Sequence, residues 1–252
     1  MNASLEGRVA FISGAGHGIG RATALAMARL GATVGINDLK QEFVEEAAAA
    51  VRAAGGRAIP LPRDVSHREG MREAVLQLAR EAGRLDILVN NAAWVRYQPL
   101  EEITPEVMDR MVEIGFKSVI WGIQAAAEAM DPERGGAIVN VASIAGFKSP
   151  MRSVVYSGIK AGVLGITRAA AADLGGRNIR VNAVAPGAVP TEGTAKHRNA
   201  ELDARRIART PLGRLGTVED IADAICFLAG DGARFLNAEV LRLDGGASET
   251  SL

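Results

Sequence analysis

The residues whose spacing carries the most chemistry are Ser143, Tyr156 and Lys160, in the stretch SIAGFKSPMRSVVYSGIK. A Tyr and a Lys four residues apart on a helix share one face, with Cβ atoms about 5–6 Å apart. A phenol ordinarily titrates near ~10. An ammonium ~4 Å away, at an effective dielectric of ~20, favours the phenolate by ~4 kcal/mol or roughly 3 pKa units. Burial of either group opposes that gain. Part of the shift is enough to make Tyr156 a proton donor and acceptor near neutrality. A Ser hydroxyl arriving from another element would hold a substrate oxygen in line with the phenol. The Y-x-x-x-K spacing is common on its own, so the reading depends on what the rest of the chain builds around it.

Apolar runs and helical patterns alternate along the chain. The runs are Arg8–Ser13, Ala32–Ile36, RAIPLPRDV, LDILVN, GAIVNVAS, IRVNAVAPG and EVLRLDGG. Between them lie helical patterns after the first glycines, at Gln41–Ala54, at His67–Gly83, from Thr104-Pro105 to about Met130, at Ser153–Gly175 and at Thr217–Leu228. Thr104 before Pro105 reads as an N-cap followed by Pro at the first helical position. Strands apolar on both faces, alternating with helices, predict an α/β fold with a parallel sheet covered on both sides. The pattern is read as a single domain over residues 1–252. The irregular, charged region Ala188–Gly216 is expected to form a substrate cover.

Composition narrows the function classes. Lys+Arg and Asp+Glu both number 29, so no net field favours nucleic acid or an anionic membrane. A single cysteine, Cys226, excludes an intrachain disulfide and a cysteine-based metal site, and His17, His67 and His197 are too scattered for metal ligation. No apolar run reaches the length of a membrane span, and a cytoplasmic location is the expectation.

After the first strand comes SGAGHGIG, Ser13–Gly20. Glycines at 14, 18 and 20 let backbone approach a pyrophosphate and allow close packing where a helix starts, with its free N–H groups and positive dipole end facing the phosphates. Asp38, at the end of the second strand, is placed to accept hydrogen bonds from both adenosine ribose hydroxyls and to repel a 2′-phosphate. No Arg or Lys occupies the glycine loop, so NAD(H) is favoured over NADP(H).

Taken together and in order, these features resemble the short-chain dehydrogenase/reductase family over essentially the whole chain. The matching residues are SGAGHGIG for T-G-x-x-x-G-x-G, Asp64-Val65, NNAA at 90–93, Ser143, YSGIK, PGAVPT at 186–191 and DGG at 244–246. The resemblance implies a Rossmann-like, doubly wound, seven-stranded parallel sheet and a homotetramer. It also implies that Ser143 holds the substrate oxygen, that Tyr156 is general acid in reduction and general base in oxidation, and that Lys160 lowers the Tyr pKa and binds the nicotinamide ribose. Gly14, Gly18, Ile19 and Gly20 would cradle the pyrophosphate, with Asp64 and Val65 beside the adenine and Asn91 near a ribose. Gly187, Val189 and Thr191 would line the nicotinamide end, and the implied cofactor contacts extend to Ser13, His17, Leu39, Ala92, Ala93 and Pro186.

The sequence departs from the family pattern in places. Gly115, in IGFKS, stands where the family has an Asn that supports a helix kink and a relay water. Ala93 replaces a Gly, and Ser13 replaces a Thr while keeping the hydroxyl. Trp94, Tyr97 and Gln98, with Ala145, Phe147 and Pro150, are candidate substrate contacts, and they favour an apolar or aromatic alcohol or ketone. His197, Arg198, Arg205 and Arg206 in the cover could meet an anion, but a solvated helix face is the favoured reading of them. The leading expectation is an NAD-dependent alcohol dehydrogenase or ketone reductase. The alternatives are a catalytically weak NAD-binding sensor or scaffold, motivated by Gly115, and an NADP-dependent 3-oxoacyl-type reductase.

Overall fold

A computed structural model describes residues 4–193 and 199–250. Seven strands pair in parallel in the order β3-β2-β1-β4-β5-β6-β7: β1 (Val9–Ile12), β2 (Thr33–Asp38), β3 (Arg57–Pro62), β4 (Ile87–Asn90), β5 (Gly136–Val141), β6 (Ile179–Pro186) and β7 (Val240–Leu243). All four residues of β1 are buried, because alternate side chains feed two cores. Ala10 and Ile12 pack under helices α1 (Gly18–Arg29), α2 (Gln41–Ala53) and α8 (Val218–Ala229). Val9 and Phe11 pack under α3 (Arg68–Ala82), α5 (Ser118–Ala129) and α6 (Val154–Leu174). With few aromatics, both cores are built of Ala, Val, Ile, Leu and Met, which lets helices lie close to the sheet.

Two helix starts follow from local chemistry. Thr104 accepts from the Val107 N–H ahead of α4 (Pro105–Val112), with Pro105 in the first turn. Thr217 and Asp220 form a reciprocal capping box at α8.

Two expectations are corrected. The helix expected from Thr104 to about Met130 is interrupted at Glu113–Lys117 by a π-helical turn, which joins α4 to α5. The hydroxyl of Ser118, the first residue of α5, donates back into this turn to the Ile114 carbonyl at 2.6 Å, a back-bond that competes with the regular ladder. The region 188–216 is not wholly irregular, because it contains α7 (Ala200–Ala208). Asn199 caps α7 through the Glu201 N–H, and acids in its first turn and arginines in its last suit the helix dipole. His197 and Arg198 lie outside the described residues. No helix among the described residues is long and apolar enough to cross a membrane.

Candidate active site

The strand order reverses between β1 and β4, and the crevice beyond their carboxyl ends is where such sheets take ligands. Ser13 ties the two strand ends together. Its Oγ accepts from the backbone N–H groups of Asn91 and Ala92, both at 3.0 Å. The Asn91 side-chain amide donates to the carbonyls of Ser13 and Gly14 at 2.9 and 3.0 Å, so it braces the loop that follows β1. Gly14 and Gly18 adopt φ of +62° and +55°, left-handed backbone that glycine takes without strain. A Cβ on Gly20 would stand 2.3 Å from the Gly14 carbonyl oxygen, so the loop closes on the helix only without a side chain there. Ala93 is exposed beside this brace, and Ile19 packs its side chain on the core.

His17 precedes α1 without capping it, and its ring stacks on Phe43 at 5.8 Å between centroids. The Asp38 carboxylate accepts from the Gly16 N–H at 3.2 Å and from the Leu39 N–H at 2.8 Å, while the Leu39 side chain is exposed. Each carboxylate oxygen keeps acceptor capacity for a further donor. Asp64 accepts from the Ser66 N–H at 2.9 Å, and Val65 beside it is buried. Burial pushes the Asp64 carboxyl up, but the Ser66 bonds and the charges of His67 and Arg110 outweigh it, and the group titrates below the ordinary carboxylate range. A glycine-rich loop, a helix N-terminus and a carboxylate at the tip of β2 therefore meet in one crevice, a shape and donor set that fit a dinucleotide.

The proton-transfer candidates lie on the other side of the crevice. Ser143 opens a short 3₁₀ turn, Ile144–Gly146, and its Oγ accepts from the Ala145 N–H at 3.1 Å. That turn presses on α6, since a Cβ on Gly146 would stand 2.9 Å from the Lys160 carbonyl carbon. The contact fixes Ser143 against the helix that carries Tyr156. Lys160 is buried, and its ammonium donates to the Val141 carbonyl at 2.7 Å.

Here the electrostatics differ from expectation. The Lys160 Nζ stands 5.9 Å from the centre of the Tyr156 ring, and one of its three N–H donors is taken by the Val141 carbonyl. Desolvation dominates both groups. Burial pushes the Tyr156 phenol above its ordinary value, with the Ser143 hydrogen bond opposing, and pushes the Lys160 ammonium down to about 8.

The surrounding side chains sort unequally. Trp94 is held under the Arg110 guanidinium, 4.4 Å from its ring centre, and anchors the loop after β4. Tyr97 is the aromatic that meets Tyr156, edge to face with centroids 5.6 Å apart. Gln98 is buried, and its backbone N–H donates to the Arg152 carbonyl at 3.0 Å. Ala145 is buried behind Ser143, while Phe147 is exposed and covered by the Arg242 guanidinium at 4.4 Å. Pro186 ends β6, and Gly187 donates to the Leu243 carbonyl at 2.9 Å, with no room for a Cβ beside Asp244. Val189 packs on the core, and Thr191 lies against Gly18. Two neighbours, Arg242 and Glu192, were not evident from local sequence, because each reaches its contact from a distant part of the chain. No group of three or more His, Cys, Asp or Glu among the described residues is placed to hold a metal ion.

Comparison with known proteins adds the following. A family profile described as enoyl-(acyl carrier protein) reductase matches residues 14–248. The chain is 40% identical over 247 residues to cis-4-hydroxycyclohexanecarboxylate dehydrogenase of Sinomonas cyclohexanicum, covering 98% of each chain. Its fold superposes on a 7α-hydroxysteroid dehydrogenase solved with NADH and 7-oxo glycochenodeoxycholic acid, with TM-score 0.93 and 31% identity over 97% of this chain and 96% of that one. It also superposes on a gluconate 5-dehydrogenase of Burkholderia cenocepacia solved with NADP and tartrate, with TM-score 0.94 and 31% identity over 99% and 98% of the two chains.

Proposed function

This chain belongs to the short-chain dehydrogenase/reductase family of oxidoreductases acting on CH–OH groups, and from that premise we propose that it interconverts an apolar cyclic secondary alcohol and its ketone with NAD(H). The observation that carries the reading is the short turn opened by Ser143 pressed against the helix that carries Tyr156 and, one turn on, the buried Lys160.

Gly14, Gly18, Gly20 and the first amides of α1 would hold the dinucleotide's diphosphate, and Asp38 its adenosine ribose. Bound there, the nicotinamide would supply the hydride donor or acceptor. The Ser143 hydroxyl would orient the substrate oxygen. Tyr156, kept protonated by its burial, would deliver a proton to that oxygen as the carbonyl is reduced and take it back as the alcohol is oxidised. Lys160, anchored at Val141, would position the phenol and present its remaining N–H donors to the crevice. Asp38 supports NAD over NADP by charge. The exposed apolar side chains Tyr97, Phe147, Met151 and Val154 around Ser143 and Tyr156 support an apolar ring over a polyol. The relative acting on a hydroxycyclohexane supports the same class.

The test is an oxidation screen over cyclic secondary alcohols, aromatic alcohols and polyols with NAD and NADP, with Tyr156→Phe as control. Turnover of cyclic alcohols with NAD that disappears in the variant is the expected result. Preference for polyols or for NADP would overturn the substrate or the cofactor assignment respectively.

A further inference from the structure

The backbone N–H of Gly18, the first residue of α1, donates to Glu192 Oε2 at 3.1 Å, across 174 residues of sequence. Thr191 lies against the same glycine, its Cβ and methyl 3.4 Å from where a Gly18 Cβ would be. The helix brings no acid in its first turn, and His17 offers it no side-chain cap. An exposed carboxylate from the segment after β6 therefore sits on the positive end of α1. Under the function proposed above, these are the amides a dinucleotide's diphosphate takes.

A carboxylate and a diphosphate cannot share one N–H, and their like charges repel at this range. We propose that Glu192 is a built-in competitor for the diphosphate, latching the segment that carries Thr191 to the glycine loop until the dinucleotide displaces it. The inference rests on the dinucleotide reading of this crevice. It makes cofactor arrival the event that releases Thr191 and Glu192 from the glycine loop, and it sets the affinity of the site lower than the glycine loop alone would give.

The experiment compares wild type with Glu192→Gln and Glu192→Ala by calorimetric titration with ADP-ribose and with adenosine. Hydrogen exchange of the peptide spanning Gly18 is followed in the same proteins without added nucleotide. The expected result is ADP-ribose binding roughly two- to fivefold tighter in Glu192→Gln, the size of one charge at a helix end. Adenosine affinity should be unchanged, the difference should vanish at about 1 M salt, and the Gly18 peptide should exchange faster in Glu192→Ala. Equal or weaker ADP-ribose binding by the variants, or unchanged exchange, overturns the latch alone. Failure of all three proteins to bind ADP-ribose overturns the dinucleotide reading and the latch with it.

Discussion

The Lys160 ammonium donates to the Val141 carbonyl at 2.7 Å while standing 5.9 Å from the centre of the Tyr156 ring, so its nearest fixed partner is backbone. A single neutral acceptor does little to offset the cost of burying a cation. The group titrates at about 8 in the folded chain against an ordinary 10.5. Between those values the unfolded chain binds more protons than the folded one, so stability rises with pH across that window, and the full cost is present below it. That cost is at most ~3 kcal/mol, and replacing the ammonium leaves the Val141 carbonyl unpaired for about 1 kcal/mol. Lys160→Met should therefore be more stable than wild type by about 2 kcal/mol at pH 7, with the gap closing toward pH 10.5. Urea unfolding at pH 7 and pH 10 measures this. A variant less stable at pH 7 would show that the ammonium is held by more than Val141.

Burial also fixes the direction of pH dependence in turnover. A phenol whose pKa is raised stays protonated through neutrality, the form needed to reduce a ketone. Under the proposed mechanism the reduction rate should be flat between pH 6 and pH 8, whereas oxidation, which needs a proton acceptor, should climb with pH over the same range. Tyr156→Phe should lower kcat in both directions by about 10²- to 10⁴-fold while leaving NADH affinity within a factor of about two. Steady-state rates across pH, together with NADH fluorescence titration of the variant, check both statements. Reduction that falls steeply between pH 6 and pH 8 would place the proton donor elsewhere.

Asp38 gives a cofactor test. Its carboxylate already accepts from Gly16 and Leu39, and under the reading above it also takes two ribose hydroxyls. Hydrogen bonds to a charged group contribute about 1.5–3 kcal/mol each, so losing two in Asp38→Ala should weaken NADH binding by about a hundredfold or more. NADPH should lose much less, because the repulsion of its 2′-phosphate is removed together with the acceptor. Paired titrations with NADH and NADPH read the ratio. A ratio that does not move would mean that Asp38 serves only to hold the Gly16 amide.

How much of this was legible in sequence depends on how far each contact reaches. The strand runs, the Thr104-Pro105 start and the Thr217–Asp220 box are written in neighbouring residues, and periodicity or capping chemistry finds them. The glycine loop and the group Ser143, Tyr156 and Lys160 are compact motifs, and the structure brings them to one crevice. The bounds of helix α7 were not legible because four of its nine residues are charged and its apolar residues are not buried, so no core contact marks its ends. The partner of Lys160 and the contact between Glu192 and Gly18 depend on which side chain the fold leaves nearest, 19 and 174 residues away. The sign of the Tyr156 shift was missed because spacing gives the attraction of a neighbouring charge but not the depth of burial that opposes it.

Gly115 is the remaining departure from the family pattern, and its surroundings say what it does. It lies buried in the π-helical turn, and a Cβ there would stand 3.1 Å from Ile159 Cγ2, on the residue next to Lys160. The kink forms without the asparagine side chain, and an added side chain must push Ile159 aside. Overpacking costs about 1–3 kcal/mol, and removing a helical glycine returns about 0.5–1 kcal/mol. Gly115→Asn should thus be less stable by about 1 kcal/mol and no faster in turnover. Adding Ile159→Leu, which has no β-branch methyl, should recover most of that loss, giving an interaction energy of at least about 0.5 kcal/mol in a double-mutant cycle by urea unfolding. Strictly additive costs would show that Cγ2 is not the obstacle. A rise in turnover for Gly115→Asn alone would show that the missing amide, and not packing around Lys160, limits the site.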